Sequence, residues 1–149
     1  MRATPVDILV VEDQDHERAA IVAALEAAVA DVNIVAISNG LEALDFLFAR
    51  GMWESRSTAD PPKLIMLDLG LPGADGLTVL TKIRSLDPQD PLALTPIVIF
   101  SDSQKSCHLR DSYRGGANSF ILKPVNFPDF LAVVEKIGNY WVHHNKICA

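Results

Sequence analysis

The stretch Val6-Asp7-Ile8-Leu9-Val10-Val11-Glu12-Asp13 is an apolar run, rich in β-branched residues, that stops on two acids. Three further runs read the same way. Leu64-Ile65-Met66-Leu67 leads into Asp68, Ile97-Val98-Ile99-Phe100 into Ser101, and Ser119-Phe120-Ile121-Leu122 into Lys123-Pro124. Short apolar runs bounded by polar and turn residues are what strands buried on both faces of a sheet look like. In an open parallel sheet the carboxyl ends of the strands share one rim, where ligands bind at the topological switch point. Segments remote in sequence therefore deliver three carboxylates, a hydroxyl and an ammonium to one place. That set suits a divalent cation together with a phosphoryl group.

Between the runs the pattern changes to helical spacing. Residues 14–30 are Ala-rich and carry Ala20, Ile21, Ala24, Leu25, Ala28 and Val29 on one stripe. Residues 32–37 read as a second strand, and Ser38-Asn39-Gly40 turns into a helix bearing Leu41, Leu44, Phe46, Leu47 and Phe48. Residues 51–62, with Gly, Ser, Thr, Asp and two prolines, read as a surface loop. Leu71-Pro72-Gly73-Ala74-Asp75-Gly76 is a tight loop before a third helix with Leu77, Val79, Leu80 and Ile83. A Pro-containing connection over 87–96 precedes the fourth strand. The fourth helix is expected from about 104 to the Gly115-Gly116 stop, and the last from about 126 to 143. Five strand–helix units imply right-handed crossovers with helices on both faces of a parallel sheet. The expected fold is a flavodoxin-like three-layer α/β/α sandwich with strand order 2-1-3-4-5.

Composition narrows the class. The 149 residues, 49% hydrophobic and 21% charged, fit one globular domain over 1–149. A net charge of -6 without any Lys/Arg run argues against a nucleic-acid footprint. No apolar stretch approaches a membrane span of about 18 residues, and no signal peptide is visible, so the chain reads as cytoplasmic. Cys107 and Cys148 lack metal-ligand or redox spacing and read as free thiols. His16, His108, His143 and His144 form no catalytic set. The 26 residues after Lys123 leave room for one helix and a tail, not an output domain.

Val10-Val11-Glu12-Asp13, Leu67-Asp68-Leu69-Gly70-Leu71-Pro72, the hydroxyl of Ser101 and Lys123-Pro124, in this order at strand ends, resemble the response-regulator receiver family, CheY-like, over residues 6 to about 140. The 51–62 insertion, Gly115-Gly116-Ala117-Asn118 and the pair Tyr140-Trp141 are similar to the stand-alone phytochrome-associated receivers. The resemblance implies a single-domain response regulator of a two-component phosphorelay, a phospho-acceptor signalling protein rather than an enzyme. A sensor histidine kinase, of phytochrome type under the narrower resemblance, is the implied phosphodonor. Output by protein contact follows, with slow self-catalysed loss of the phosphoryl group.

The same resemblance assigns roles. Asp68 is the phospho-acceptor, whose carboxylate attacks phosphorus to give an acyl phosphate. Glu12, Asp13, Asp68 and the Gly70 backbone carbonyl correspond to the ligands of Mg²⁺ or Mn²⁺, Glu12 being long enough to act through water. The need is electrostatic: two carboxylates ~4 Å apart repel by ~4 kcal/mol at an effective dielectric of 20. Lys123 pairs with the acceptor, Ser101 is the switch hydroxyl, and Phe120 the aromatic switch position. Lys123-Pro124 is a candidate cis bond aiming the ammonium at the rim. Plainer readings stand beside these: Asp13 as a helix cap, Ser101 as a turn hydroxyl, Phe120 as core.

Two positions depart from the family pattern. Asp102 follows Ser101 where a small residue is common, and either crowds a phosphodonor or points to solvent. Gly70 offers no side chain to guide or block an attacking water. Leu109, Tyr113, Phe127, Phe130, Val134 and Trp141 would belong to the family's partner face of fourth helix, fifth strand and fifth helix. Most of them read as core by helical spacing, yet so many large apolar side chains on a short segment suggest some exposure, and a homodimer is expected through this face. A phosphorylation-independent adaptor is the competing function. A metal-dependent phosphatase would need a second Asp where Gly70 stands, and a flavin carrier a phosphate-cradling loop after the first strand.

Overall fold

Strand β1 (Ile8–Val11) is hydrogen-bonded on one side to β2 (Ile34–Ile37) and on the other to β3 (Leu64–Leu67). Strands β4 (Ile97–Ser101) and β5 (Ser119–Leu122) extend the sheet, all pairs parallel, in the order β2-β1-β3-β4-β5. The structure is a computed structural model and describes residues 5–147. Cys148 therefore lies outside the described residues.

The central strands are buried end to end, and their side chains alternate between two cores. Leu9, Val11, Ile65, Leu67, Ile97 and Ile99 face α2 (Gly40–Leu47) and α3 (Gly76–Arg84). Ile8, Val10, Leu64, Met66, Val98 and Phe100 face α1 (Asp15–Ala28) and α5 (Phe127–Gly138). Burial on both faces explains why no alternation of apolar and polar residues shows in the runs. Helix starts follow the side chains at hand: Asn39, Asp75 and Asn126 accept from Glu42 N (2.8 Å), Thr78 N (2.8 Å) and Asp129 N (3.1 Å). Helix α4 (Ser106–Arg114) is different, with Ser112 as its one buried residue. It flanks β5 at the edge of the sheet.

The strand order and the five-strand, five-helix layout are as the sequence predicts. Several details differ. The 51–62 loop contains a 3-10 turn at Gly51–Trp53, and it is pinned from within: Trp53 meets Phe46 edge-on at 5.0 Å, and the Arg56 guanidinium lies 3.9 Å from the Phe46 ring centroid. The connection before β4 holds a second 3-10 turn, Pro91–Leu94, whose start Asp90 caps through Leu92 N at 3.0 Å. Past Gly138 the last helix widens into a π-type segment, Asn139–His144.

Two residues expected on the partner face are core instead. Phe130 is 5% exposed and Val134 fully buried. The reason is periodicity: Phe130, Val134 and Ile137 share the helical stripe that α5 turns onto the sheet and α1, where Phe130 packs 5.3 Å from Phe100. Trp141 is half-buried against the same core. Tyr113, Phe127 and Leu109 do remain exposed. No cis peptide occurs among the described residues, so Lys123–Pro124 is trans, contrary to the expectation. Trans is the lower-energy isomer even before proline, and the ammonium reaches the rim without the cis form.

Candidate functional site

Register decides what meets at the rim. Val11 lies level with Leu67, and Ser101 with Leu122, so Glu12, Asp68 and Lys123 each emerge one step past a paired end. Backbone bonds fix them there: Glu12 N donates to Ile37 O (3.0 Å), Asp68 N to Val11 O (3.1 Å) and Lys123 N to Ser101 O (2.7 Å).

The Lys123 ammonium is the hub of the site. It donates to Glu12 Oε1 at 2.5 Å, Glu17 Oε2 at 2.8 Å and Asp68 Oδ2 at 3.2 Å, and the residue is 7% exposed. Asp68 Oδ1 accepts from Leu69 N at 2.8 Å, so the carboxylate is held at both ends. Glu12 is 1% exposed and its second oxygen accepts from Gln14 N at 3.1 Å. Burial pushes the Glu12 carboxyl up to about 7; the Lys123 hydrogen bond opposes that rise and the Asp68 charge adds to it. Burial works against the Lys123 charge, yet hydrogen bonds to Glu12 and Glu17 and the charge of Asp68 outweigh it and raise its pKa above the ordinary value.

Glu12, Asp13 and Asp68 bring carboxylate oxygens within 4.8 Å of one another. Three carboxylates, Glu12, Glu17 and Asp68, contact one ammonium and Asp13 stands beside two of them, so the site keeps an excess of negative charge. Glu12, Asp13 and Asp68 are thus the acids placed to hold a cation, Glu12 being the most deeply buried of the three. Such a donor set of hard oxygens fits Mg²⁺ or Mn²⁺. Gly70 is exposed, and nothing lies within 4 Å of where a Cβ would stand.

The remaining predicted residues divide. Ser101, 2% exposed, ends β4, and its Oγ accepts from Ser103 N at 3.1 Å. Phe120 is half-buried against the α2–α3 core, and its backbone N–H donates to the Tyr113 hydroxyl at 3.2 Å. Asp102 is solvent-exposed. Two residues escaped the reading of the sequence. Glu17 sits in the first turn of α1, where an acid is expected on dipole grounds alone, so nothing marked it as a partner of Lys123. Gly76 opens α3, and a Cβ there would stand 2.1 Å from the Asp68 carbonyl oxygen. That glycine lets α3 start directly beneath the Asp68 loop.

These features define a phospho-acceptor receiver of two-component signalling. The chain belongs to the response regulator receiver domain family, whose model matches residues 8–135. It is similar to the response regulator Rcp1 of Synechocystis, 31% identical over 93% of this chain and 90% of Rcp1. The structure of the Mn²⁺-bound form of Rcp1 superposes with a TM-score of 0.87 over 97% of this chain and all of Rcp1's solved chain. The phosphorylated cyanobacterial phytochrome response regulator RcpA is 30% identical, with a TM-score of 0.88 over 98% of this chain and all of that one. The probable methanogenesis regulatory protein FilR2 of Methanothrix harundinacea is 32% identical over 95% of this chain and 87% of FilR2. No helix among the described residues is long and apolar enough to cross a membrane.

Proposed function

We propose that Asp68 accepts a phosphoryl group from a sensor histidine kinase, with Mg²⁺ held by Asp13, Asp68 and the Gly70 carbonyl and completed through Glu12. The observation that carries this reading is the convergence of Glu12, Asp13, Asp68 and Lys123 at one rim, from three separate strand ends. An Asp68 oxygen forms a bond to phosphorus while the bond from phosphorus to the donor's imidazole nitrogen breaks. The electron pair returns to that nitrogen, leaving an acyl phosphate on Asp68 and a free imidazole on the donor. A divalent cation held by these residues would offset the charge spread over the phosphoryl oxygens in the loose transition state.

Lys123 orients the Asp68 carboxylate and then pairs with a phosphoryl oxygen, a role suited to a compact point charge. Ser101 donates its hydroxyl proton to another phosphoryl oxygen, and Phe120 follows the space that Ser101 vacates. Because the exposed Asp102 is solvated, it does not bar the donor. The open space at Gly70 leaves water free to approach Asp68, which favours spontaneous hydrolysis of the acyl phosphate.

The phosphodonor is a phytochrome-type kinase, a reading supported by the likeness to Rcp1 and RcpA. Leu109, Tyr113, Leu122 and Phe127, each more than two-fifths exposed, supply the output face and a homodimer contact. The test is incubation with acetyl phosphate and Mg²⁺, alongside Asp68→Asn, reading adduct and association state together. Adduct on the wild type and none on the variant supports the assignment. No adduct on either favours an adaptor that signals without phosphorylation.

A further inference from the structure

The β4–α4 loop carries a pair of side chains that the phosphoryl chemistry does not account for. Ser103 N donates to Ser101 Oγ at 3.1 Å, and Ser103 Oγ lies 2.6 Å from His108 Nδ1. Lys105 N donates to Ser103 Oγ at 3.4 Å, so the hydroxyl is held from the loop as well as from the imidazole, and which of Oγ and Nδ1 donates between them follows the His108 tautomer. His108 is tied into α4 in turn, its carbonyl accepting from Ser112 Oγ at 2.7 Å. Ser112 is the only buried residue of that helix. With so little apolar surface anchoring α4, polar contacts decide where its first turn sits against the loop. Lys105, at the N-cap, makes no side-chain cap bond that could do this instead.

We infer that His108 and Ser103 are positioning residues for Ser101, a chain of two hydrogen bonds that sets the direction of the Ser101 hydroxyl from helix α4. A hydroxyl whose lone pair is committed to Ser103 N–H must point its proton elsewhere, and a phosphoryl group on Asp68 is the acceptor this serves. Release of the Ser103–His108 contact frees the loop, and the Ser101 hydroxyl then spends part of its time misdirected. The inference rests on the role proposed above for Ser101.

The experiment is titration with beryllofluoride in Mg²⁺, followed by ¹⁹F NMR, on the full chain. A single net hydrogen bond predicts that Ser103→Ala and His108→Ala each raise the half-saturating concentration about 3- to 10-fold. The double variant does no worse than either single one. His108→Asn, which places an amide oxygen near the site of Nδ1, recovers most of the loss. In a Ser101→Ala background neither substitution has a further effect, an outcome that a general role in stability does not produce. Full effects persisting without Ser101, or single variants within 2-fold of wild type, overturn the inference. No adduct on the wild type condemns the Asp68 reading itself, and with it the premise of this one.

Discussion

Replacement of Lys123 by Met removes the ammonium that Glu12, Glu17 and Asp68 share while keeping most of the side chain's volume. Lys123 and Glu12 are both nearly buried, so the carboxylates left behind cannot be rescued fully by solvent. Breaking a buried pair from one side costs about 3–5 kcal/mol. For a chain of this size that is a fall in Tm of about 6–20 °C. The loss must also depend on pH. In the wild type, Glu12 at about 7 sits above its ordinary 4.5, so its contribution to stability is complete below pH 4.5 and is lost as pH rises through 7. Lys123, raised above its usual value, stays charged throughout and its contribution does not change between pH 6 and 8. The wild type therefore loses about 1.4 kcal/mol over that window. Without the ammonium, the hydrogen bond and charge that hold the Glu12 carboxyl down are gone, so its pKa rises further and the variant loses more stability than the wild type over the same window. Urea unfolding at pH 6 and pH 8 in EDTA measures both. A Lys123→Met penalty that is the same at the two pH values, or below 1 kcal/mol, refutes the reasoning.

Other outcomes follow from the same geometry. Asp13→Asn, which removes a cation ligand but no contact of Lys123, weakens Mg²⁺ binding at least 10-fold by calorimetry and changes Tm in EDTA by less than about 2 °C. Because Glu12 takes up a proton near neutrality, Mg²⁺ affinity in the wild type falls as pH drops through 7, and binding near pH 7 releases protons, seen as a calorimetric enthalpy that varies with buffer. Gly76→Ala forces a methyl against the Asp68 carbonyl and Leu69 Cα, a clash worth about 1–3 kcal/mol, so Tm falls and phosphoryl acceptance with it.

Legibility in the sequence tracked local chemistry. The strands of the sheet centre were plain because burial on both faces leaves unbroken apolar runs, and their ends were plain because charge follows directly. Edge strand β2 starts two residues later than its apolar pattern suggests, since Val32 packs on the core without entering the ladder. Glu17 and Gly76 were invisible for a different reason: each matters only through a neighbour 106 residues away, or through a backbone that passes within a bond length or two. Phe130 and Val134 read as core by helical spacing, and the packing of α5 on the sheet and α1 is what takes them off the expected partner face. The 3-10 turns at Gly51–Trp53 and Pro91–Leu94 carry no periodic signal, being only one turn long.

The most direct test is where the phosphoryl group goes. After incubation with acetyl phosphate and Mg²⁺, borohydride reduction and peptide mapping should find the whole modification on Asp68, and none when EDTA replaces Mg²⁺. Modification at any other carboxylate, or on Asp68 to the same extent in EDTA, contradicts the account.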